Sequence, residues 1–256
     1  MKTLKHIVVS FLLFIGLWQL LYIIGNFKEA LFPAPISVGK AILSMFLTHD
    51  VYQDIGASMY RFLVGYLLAV LIGIILGLFL GWFPRIFQYV NPIVQLLRPI
   101  SPIAWLPFIV LWFGIGDIPA IVIIFIAAFY PILLTTVSAV GNVDPIYLKV
   151  AKNFGIRKHH ALFKIVFPAA FPQIMNSIHI ALGSAWVFLV AGEMTGAQSG
   201  LGFRIIDARN NLRMDNLLGT IVLIGLLGLL LDSIIKVIEK KILSNWGKEG
   251  GKSNAY

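Results

Sequence analysis

Long apolar segments without charged side chains are the feature that most restricts how this chain can fold. Two clear examples are the runs Ile7–Gly25 and Phe62–Phe83, which contain no Asp, Glu, Lys or Arg. A helix needs about 20 apolar residues to cross the hydrocarbon core of a bilayer. Because lipid offers no hydrogen-bonding partner, each crossing segment must satisfy its own backbone groups, as a helix does. The sequence therefore predicts an all-α protein that crosses a membrane several times.

The composition agrees with a membrane protein and excludes several other classes. Hydrophobic residues make up 59% of the chain and charged residues only 12%, whereas a soluble domain carries about 25% charged residues. The absence of cysteine excludes disulfides and thiolate metal or redox sites. A net charge of +9 would suggest a nucleic-acid partner in a soluble protein. Here an excess of basic residues on the cytosolic side of a membrane explains it better, so no nucleic acid is expected.

Six transmembrane helices are predicted. They cover Ile7–Gly25, Phe62–Phe83, Gln88–Gly116, Ile118–Val143, Ile165–Gly192 and Asn216–Ile235. The first run is interpreted as a retained helix, because bulky residues such as Trp18 stand where a signal peptide would carry small ones. The resulting division is a first helix with an outer amphipathic segment (1–61), a five-helix core (62–235) and a cytosolic tail (236–256).

The basic residues predict the orientation of these spans. With the N-terminus in the cytosol, the outer segments hold only Lys28, Lys40, Arg61, Arg204, Arg209 and Arg213, and all other Lys and Arg residues are cytosolic. Such a bias is what the positive-inside rule requires. We therefore expect a multi-pass protein of the cell membrane, embedded in the lipid bilayer, with both termini in the cytoplasm. The same orientation places the segment 144–172 in the cytosol.

The segment 144–172 differs from the apolar runs on both sides, because it is rich in Lys and Arg and has one acidic residue, Asp144. Within it, Ile146, Val150 and Phe154 recur at helical spacing, which predicts a short helix with one apolar stripe. Gly155 then permits a sharp reversal of the chain. Such a helix is suited to a groove in a partner protein. The alternative is an ordinary basic loop that fixes the topology.

This segment resembles the cytosolic loop of ABC-importer permease subunits, whose pattern is Glu-Ala-Ala, three residues, Gly, nine residues, Ile, one residue and Leu-Pro. Gly155, Ile165 and Pro168 stand at matching positions, and Ala151 matches the second Ala. Lys149-Val150 replaces the usual Glu-Ala. In the family this loop forms a coupling helix that docks on the ATP-binding subunit. The resemblance implies coupling roles for Lys149, Val150, Ala151, Lys152, Phe154, Gly155, Ile165 and Pro168.

Further matching stretches extend the resemblance along the chain. They are residues 31–35, 58–61, 97–102, 111–116, 129–132 and 191–194, and together they look most like the nitrate, sulfonate and taurine permeases. The resemblance implies a type I ABC importer permease fold and a homodimer around a central path. It also implies cytosolic ABC ATP-binding subunits, which carry the ATP and Mg, and an extracytoplasmic substrate-binding protein. The chain itself would be neither an enzyme nor a cofactor carrier.

Two alternatives to a sulfonate, taurine or nitrate importer stay open. One is an ABC permease for a vitamin precursor of the thiamine, pyrimidine or riboflavin type. The other, from a different class, is a secondary transporter driven by an ion gradient. That class favours acidic residues near mid-membrane in broken helices, whereas the ionisable residues deep within these spans are Arg98 and His179.

Five residues in or near the spans are candidates for the translocation path. They are Arg98, Ser101, Pro102, His179 and Glu193. Ionisable side chains are costly inside a membrane and mark functional sites by default. Arg98 can instead anchor its helix at the inner surface, and His179 can instead join two helices. Glu193 can pair with Arg61 or Arg204, or belong to an outer gate.

Three further patterns complete the sequence-based picture. Arg204, Arg209 and Arg213 lie in a mixed-charge outer segment and are candidates for docking the binding protein, or are simply solvated. No catalytic or metal site is predicted, since His159 and His160 are adjacent and their side chains diverge on a helix. A stripe of small residues, formed by Gly65, Ala69, Gly73, Gly77 and Gly81, allows another helix to approach closely, either within the chain or in a dimer.

Overall fold

The computed structural model describes residues 2–26, 28, 29 and 31–251, and all regular structure in that part of the chain is helical. The helices are α1 (Lys2–Ile24), α2 (Pro35–Leu47), α3 (Asp50–Trp82), α4 (Pro84–Leu97), α5 (Leu106–Phe113), α6 (Asp117–Gly141), α7 (Pro145–Asn153), α8 (Lys158–Ala161), α9 (Phe167–Gly196), α10 (Leu201–Asn210) and α11 (Met214–Gly251). A 3-10 turn (Pro102–Trp105) precedes α5, and a π-helical turn (Leu162–Val166) leads into α9.

Within the described residues, four helical segments are long and apolar enough to cross a membrane. They are α3, α6, the continuous stretch Leu162–Gly196 and the part of α11 from Met214 to Ile242. The predicted third span is a bent pair, α4 and the Pro102–Phe113 segment, with an angle of 86° between them. The apolar part of the first helix, Val9–Ile24, is shorter. The all-helical, multi-span fold predicted from the sequence is confirmed.

The break between α4 and α5 has a local cause in Pro102. Ser101 precedes Pro102 and adopts an extended conformation (φ −58°, ψ 132°). The ring of a proline disfavours helical geometry in the residue before it. The chain therefore turns after Arg98, and α5 leaves in a new direction.

Two helices extend past the predicted boundaries. The second span was expected to begin at Phe62, but α3 begins at Asp50, so Arg61 lies inside a helix and not in an outer loop. The predicted tail, 236–256, is not separate from the last span, because α11 continues to Gly251. Residues 252–256 lie outside the described part of the chain.

The core forms where α6 packs between α3 and α9. The small-residue stripe of α3 faces α6: a Cβ atom added to Gly77 would lie 2.5 Å from Cβ of Thr136, and one added to Gly81 would lie 2.7 Å from Cβ of Val140. Such a face lets two helices approach to near backbone contact. The stripe therefore serves packing within one chain, which decides between the two alternatives.

The bundle has two distinct ends. The ends of α3 and α6 meet α7, α8 and the start of α9 at one end, called the loop end here. The starts of α3 and α6 meet the end of α9 and α10 at the other, called the far end. Consequently α9 runs without interruption between the two regions that carry the candidate functional residues.

Candidate functional site

At the loop end, α7 is a short helix with well-defined termini. The backbone N–H of Ile146 donates a hydrogen bond to Oδ1 of Asp144 at 2.8 Å, which satisfies one free donor of the first turn. After the helix, Gly155 takes a left-handed conformation (φ +69°), and the N–H of Ile156 bonds the carbonyl of Ala151 at 3.0 Å. This is a Schellman motif, for which glycine is the preferred residue. The predicted reversal at Gly155 is therefore present.

The two faces of α7 have opposite environments. Ala151 is buried against the bundle, whereas Ile146, Val150 and Phe154 are exposed, with Phe154 80% exposed. An exposed apolar stripe on a charged helix indicates an interaction surface. The structure thus confirms the predicted amphipathic helix.

The remaining residues of the predicted coupling set lie in the same region. Lys149 is exposed on α7, while Ile165 in the π-helical turn and Pro168 in the first turn of α9 are half-buried. Lys152 belongs to α7, but its side chain lies outside the part of the chain that the structure describes. The π-helical turn makes the connection from this segment to α9 continuous.

At the far end, side chains from other helices cap the start of α10. Three successive backbone N–H groups each donate a hydrogen bond of 2.9 Å: Gly200 to Asp54, Leu201 to the hydroxyl of Ser58, and Gly202 to the carboxylate of Glu193. The first N–H groups of a helix have no partner within it. The contacts replace a local cap and hold α10 against α3 and α9.

Arg61 and Glu193 form the centre of this arrangement. Nη1 of Arg61 lies 2.7 Å from Oε1 of Glu193, and their side chains are 2% and 0% exposed. Arg61 also donates to Asp117 at the start of α6 and to the carbonyl and hydroxyl oxygens of Ser199. Buried charges are tolerated when they are paired and fully hydrogen-bonded. We call Asp54, Ser58, Arg61 and Glu193 the clamp, because they tie α3, α9 and α10 together.

The clamp requires glycine at two positions around the start of α10. Gly200 has φ +103°, and a Cβ atom there would overlap the carboxylate of Glu193. A Cβ atom at Gly202 would lie 2.5 Å from the carbonyl oxygen of Val190. These two residues therefore permit α10 to sit directly on the end of α9.

Of its two candidate partners, Glu193 pairs with Arg61 and not with Arg204, and both side chains of the pair are buried. A role of Glu193 in an outer gate stays a prediction. Arg204 instead contacts Asp54 at 2.9 Å with a side chain that is 17% exposed. Arg204 is therefore less available to a docking partner than the sequence suggested, and its docking role stays a prediction. Arg209 and Arg213 are exposed, as that expectation requires.

His179 joins two helices. Its Nε2 lies 2.6 Å from Asp232 and its Nδ1 lies 3.5 Å from Glu239, both on α11. Asp232 also pairs with Lys236 at 2.7 Å. These contacts agree with the alternative in which His179 joins two helices and does not line the path. At the bend, Arg98 and Ser101 are exposed and Pro102 is half-buried, so these three stay accessible as candidates.

Sequence reasoning named Arg61 as a possible partner of Glu193, but it did not recognise the polar face of α3 as a group or single out two amides on α9. Asp54, Ser58 and Arg61 lie on one face of α3 at spacings of four and three, a polar stripe that could have marked a buried contact. On α9, Gln173 and Asn176 are exposed. The amide side chains of these two residues within an apolar span were visible in the sequence and were not singled out.

Comparison with known proteins agrees with this architecture. The model of the family described as "Binding-protein-dependent transport system inner membrane component" matches residues 69–244. The nitrate import permease protein NrtB of Leptolyngbya laminosa is 32% identical over 254 residues, covering 94% of this chain and 90% of that protein. The taurine transport system permease protein TauC of Escherichia coli (strain K12) is 29% identical over 222 residues, covering 85% and 80%.

A third relative and a solved structure support the same assignment. A protein of Bacillus subtilis (strain 168), named as a candidate aliphatic sulfonates transport permease protein, SsuC, is 30% identical over 229 residues, covering 90% of this chain and 83% of that protein. The inward-facing MetNI methionine ABC transporter aligns with a TM-score of 0.57 over 75% of this chain and 95% of the matched chain, at 19% identity. That likeness concerns the fold and confirms the type I importer permease architecture. The chain belongs to the family of binding-protein-dependent transport system inner membrane components.

Proposed function

We propose that this chain is the membrane-spanning subunit of an ATP-driven importer for a small anion of the sulfonate, taurine or nitrate type. The observation that carries the proposal is α7, a capped helix with an exposed apolar stripe, joined through a continuous helical segment to α9. The named substrates of TauC and NrtB support the choice of anion. ATP and Mg belong to separate ATP-binding subunits, and this chain performs no hydrolysis.

The exposed stripe of α7 is the surface that an ATP-binding subunit grips. Ile146, Val150 and Phe154 supply apolar contact area on it, and Lys149 adds a positive charge where the family usually has Glu. An acidic group in the partner's groove would complement that charge. ATP drives the transition because the ATP-bound subunits favour one arrangement of the spans over the other.

A second copy of the chain completes the translocation path along α9. From Leu63 onward, the exposed side chains of α3 are apolar, for example Leu67, Leu71 and Ile75, as a lipid-facing surface requires. The exposed face of α9 instead includes Gln173 and Asn176. Polar side chains in spans usually face other helices or a water-filled path. We therefore place this face of α9 toward the partner copy, where the amide N–H groups can donate hydrogen bonds to an anion.

In this proposal the loop end lies in the cytosol and the far end lies outside, with both termini in the cytoplasm. The basic residues of the 144–172 segment support that orientation. The binding protein then approaches the far end, where Arg209 and Arg213 are exposed. Solute enters between the two copies after the binding protein has docked.

Uptake measurements test the proposal. The chain is reconstituted with its ATP-binding subunits and binding protein, and uptake is measured for taurine, an alkanesulfonate, nitrate and a thiamine precursor. We expect uptake of one of the anions that requires ATP and persists when ionophores dissipate ion gradients. Uptake that survives ATP depletion and stops with the ion gradient would assign the chain to the secondary transporters. Uptake of the thiamine precursor alone would show that the substrate is a vitamin precursor and not an anion.

A variant at Gly155 tests the role of α7 in the same assay. Its φ of +69° is unavailable to proline, whose ring fixes φ near −65°. We expect Gly155→Pro to reorient the end of α7 and to abolish ATP-driven uptake while the spans stay folded. Normal uptake by this variant would remove the coupling role from α7.

A further inference from the structure

A cavity of about 590 Å³ lies behind α7 at the loop end of the bundle. Its walls are the ends of α3 and α6 and the inner side of the 144–172 segment. The side chains that line it are all apolar, and they include Trp82, Phe83, Leu148 and Val166. Such a cavity favours binding of an apolar group over a polar solute.

Two cations follow lining residues in the chain and form the rim of this cavity. Arg85 follows Pro84 and Arg157 follows Ile156, and both are exposed. Among the residues that the structure describes, neither forms an ion pair. The acidic residue of this region, Asp144, bonds the N–H of Ile146 at the start of α7. The rim is therefore positively charged and the interior is apolar.

We propose that this cavity is a binding site for an anionic phospholipid. One acyl chain fills the apolar interior, and the phosphate group lies against the rim formed by Arg85 and Arg157. Three observations support this occupant. The site lies where membrane-spanning helices end, Trp82 is of a residue type enriched at the membrane interface, and basic pockets between such helices bind lipid headgroups. The proposal does not depend on which solute the chain transports.

A bound lipid would fill the space between α7 and the ends of α3 and α6. Without it, the inner face of α7 contacts the bundle mainly through Ala151, which is buried. Dispersion contacts require atoms on both sides of an interface, so an empty cavity leaves the inner face of α7 with few stabilising packing contacts. The lipid therefore couples the position of α7 to that of the two helices.

A glycine in the wall allows the site to be filled. A Cβ atom at Gly141, the last residue of α6, would meet no atom within 4 Å. Gly141→Leu therefore places a side chain in the cavity without a backbone clash. Gly225→Leu is the matched control, since Gly225 lies on α11 and its Cβ atom would also meet nothing within 4 Å.

The chain, assembled with its ATP-binding subunits, is placed in bilayers of equal parts phosphatidylglycerol and phosphatidylcholine, and then extracted into mild detergent. Native mass spectrometry counts the lipids that each variant retains. We expect the wild type and Gly225→Leu to retain phosphatidylglycerol in preference to phosphatidylcholine, and Gly141→Leu to lose most of it. Equal retention of the two lipids by the wild type would overturn the proposal. So would full retention of phosphatidylglycerol by Gly141→Leu.

A charge variant tests the rim without changing the cavity. Each Lys or Arg near an anionic surface contributes about 1 kcal/mol, which corresponds to roughly fivefold in binding. We therefore expect Arg85→Gln combined with Arg157→Gln to weaken phosphatidylglycerol binding by about 25-fold and to leave phosphatidylcholine binding unchanged. An unchanged preference for phosphatidylglycerol would place the anionic lipid elsewhere on the protein.

Discussion

Arg61 bonds two carboxylates in very different surroundings, which permits a matched test of the clamp. Glu193 is fully buried, whereas the side chain of Asp117 is 54% exposed. At a separation of 2.7 Å, two unit charges attract by about 6 kcal/mol at an effective dielectric constant of about 20. Burying each charged group costs several kcal/mol of desolvation free energy, which offsets much of this attraction. The intact pair therefore contributes little net stability. A large effect is expected only when one partner is removed.

We expect Arg61→Met to lower the free energy of unfolding by about 3–5 kcal/mol, because Glu193 is left buried and unpaired. Glu193→Gln keeps an oxygen that can accept from the N–H of Gly202, so its cost is smaller, about 1–3 kcal/mol. Asp117→Asn is the control, with an expected loss below about 1 kcal/mol, because exposed ion pairs contribute little.

The free energies are measured by titrating the purified chain in mixed micelles with sodium dodecyl sulfate and following tryptophan fluorescence. The double variant Arg61→Met with Glu193→Gln should lose less than the sum of its two parts, because the unpaired buried charge is absent. Strict additivity, or a loss for Asp117→Asn equal to that for Arg61→Met, would refute the reasoning. Either result would mean that burial of Glu193 does not control the energetics of the clamp.

Three further predictions follow from packing and exposure. Gly77→Ala should destabilise the chain by about 1–3 kcal/mol through overpacking, since its Cβ atom would lie 2.5 Å from Cβ of Thr136. The control is Gly225→Ala, whose Cβ atom would meet nothing within 4 Å. The same titration should show almost no loss of stability for this control. Phe154→Ala should change stability by less than about 0.5 kcal/mol and yet reduce ATP-driven uptake, because the ring is 80% exposed on the stripe that we propose binds the ATP-binding subunit. Unchanged uptake would contradict this role. Asn176→Leu should lower anion uptake without lowering stability, and a variant that transports normally would remove Asn176 from the path.

Hydropathy alone located the long spans, because a membrane demands continuous apolar helices. The short helix α7 could also be predicted, since Ile146, Val150 and Phe154 repeat at helical spacing and Gly155 marks the end. The start of α3 could not be predicted in this way. Charged residues such as Asp54 and Arg61 read as loop in a hydropathy pattern, and only their partners, far away in the chain, show why a helix can carry them.

The choice of partner for Glu193 illustrates a second limit. Arg61 and Arg204 were both plausible from the sequence, since charge and approximate depth were all that it offered. The decision depends on Gly200 and Gly202, which let α10 approach the end of α9 and direct the guanidinium of Arg204 toward Asp54. Such contacts depend on how the elements assemble and not on any one segment.

The continuity of α9 has a mechanical consequence. Its 30 residues, at a rise of 1.5 Å per residue, make a rod about 45 Å long. A tilt of roughly 5° about the loop end would displace the other tip by about 4 Å over that length. The hydrogen bond between Glu193 and Gly202 is 2.9 Å long and cannot survive a relative shift of that size. A few degrees of rotation at one membrane surface are therefore enough to open or close the contacts of α10 at the other.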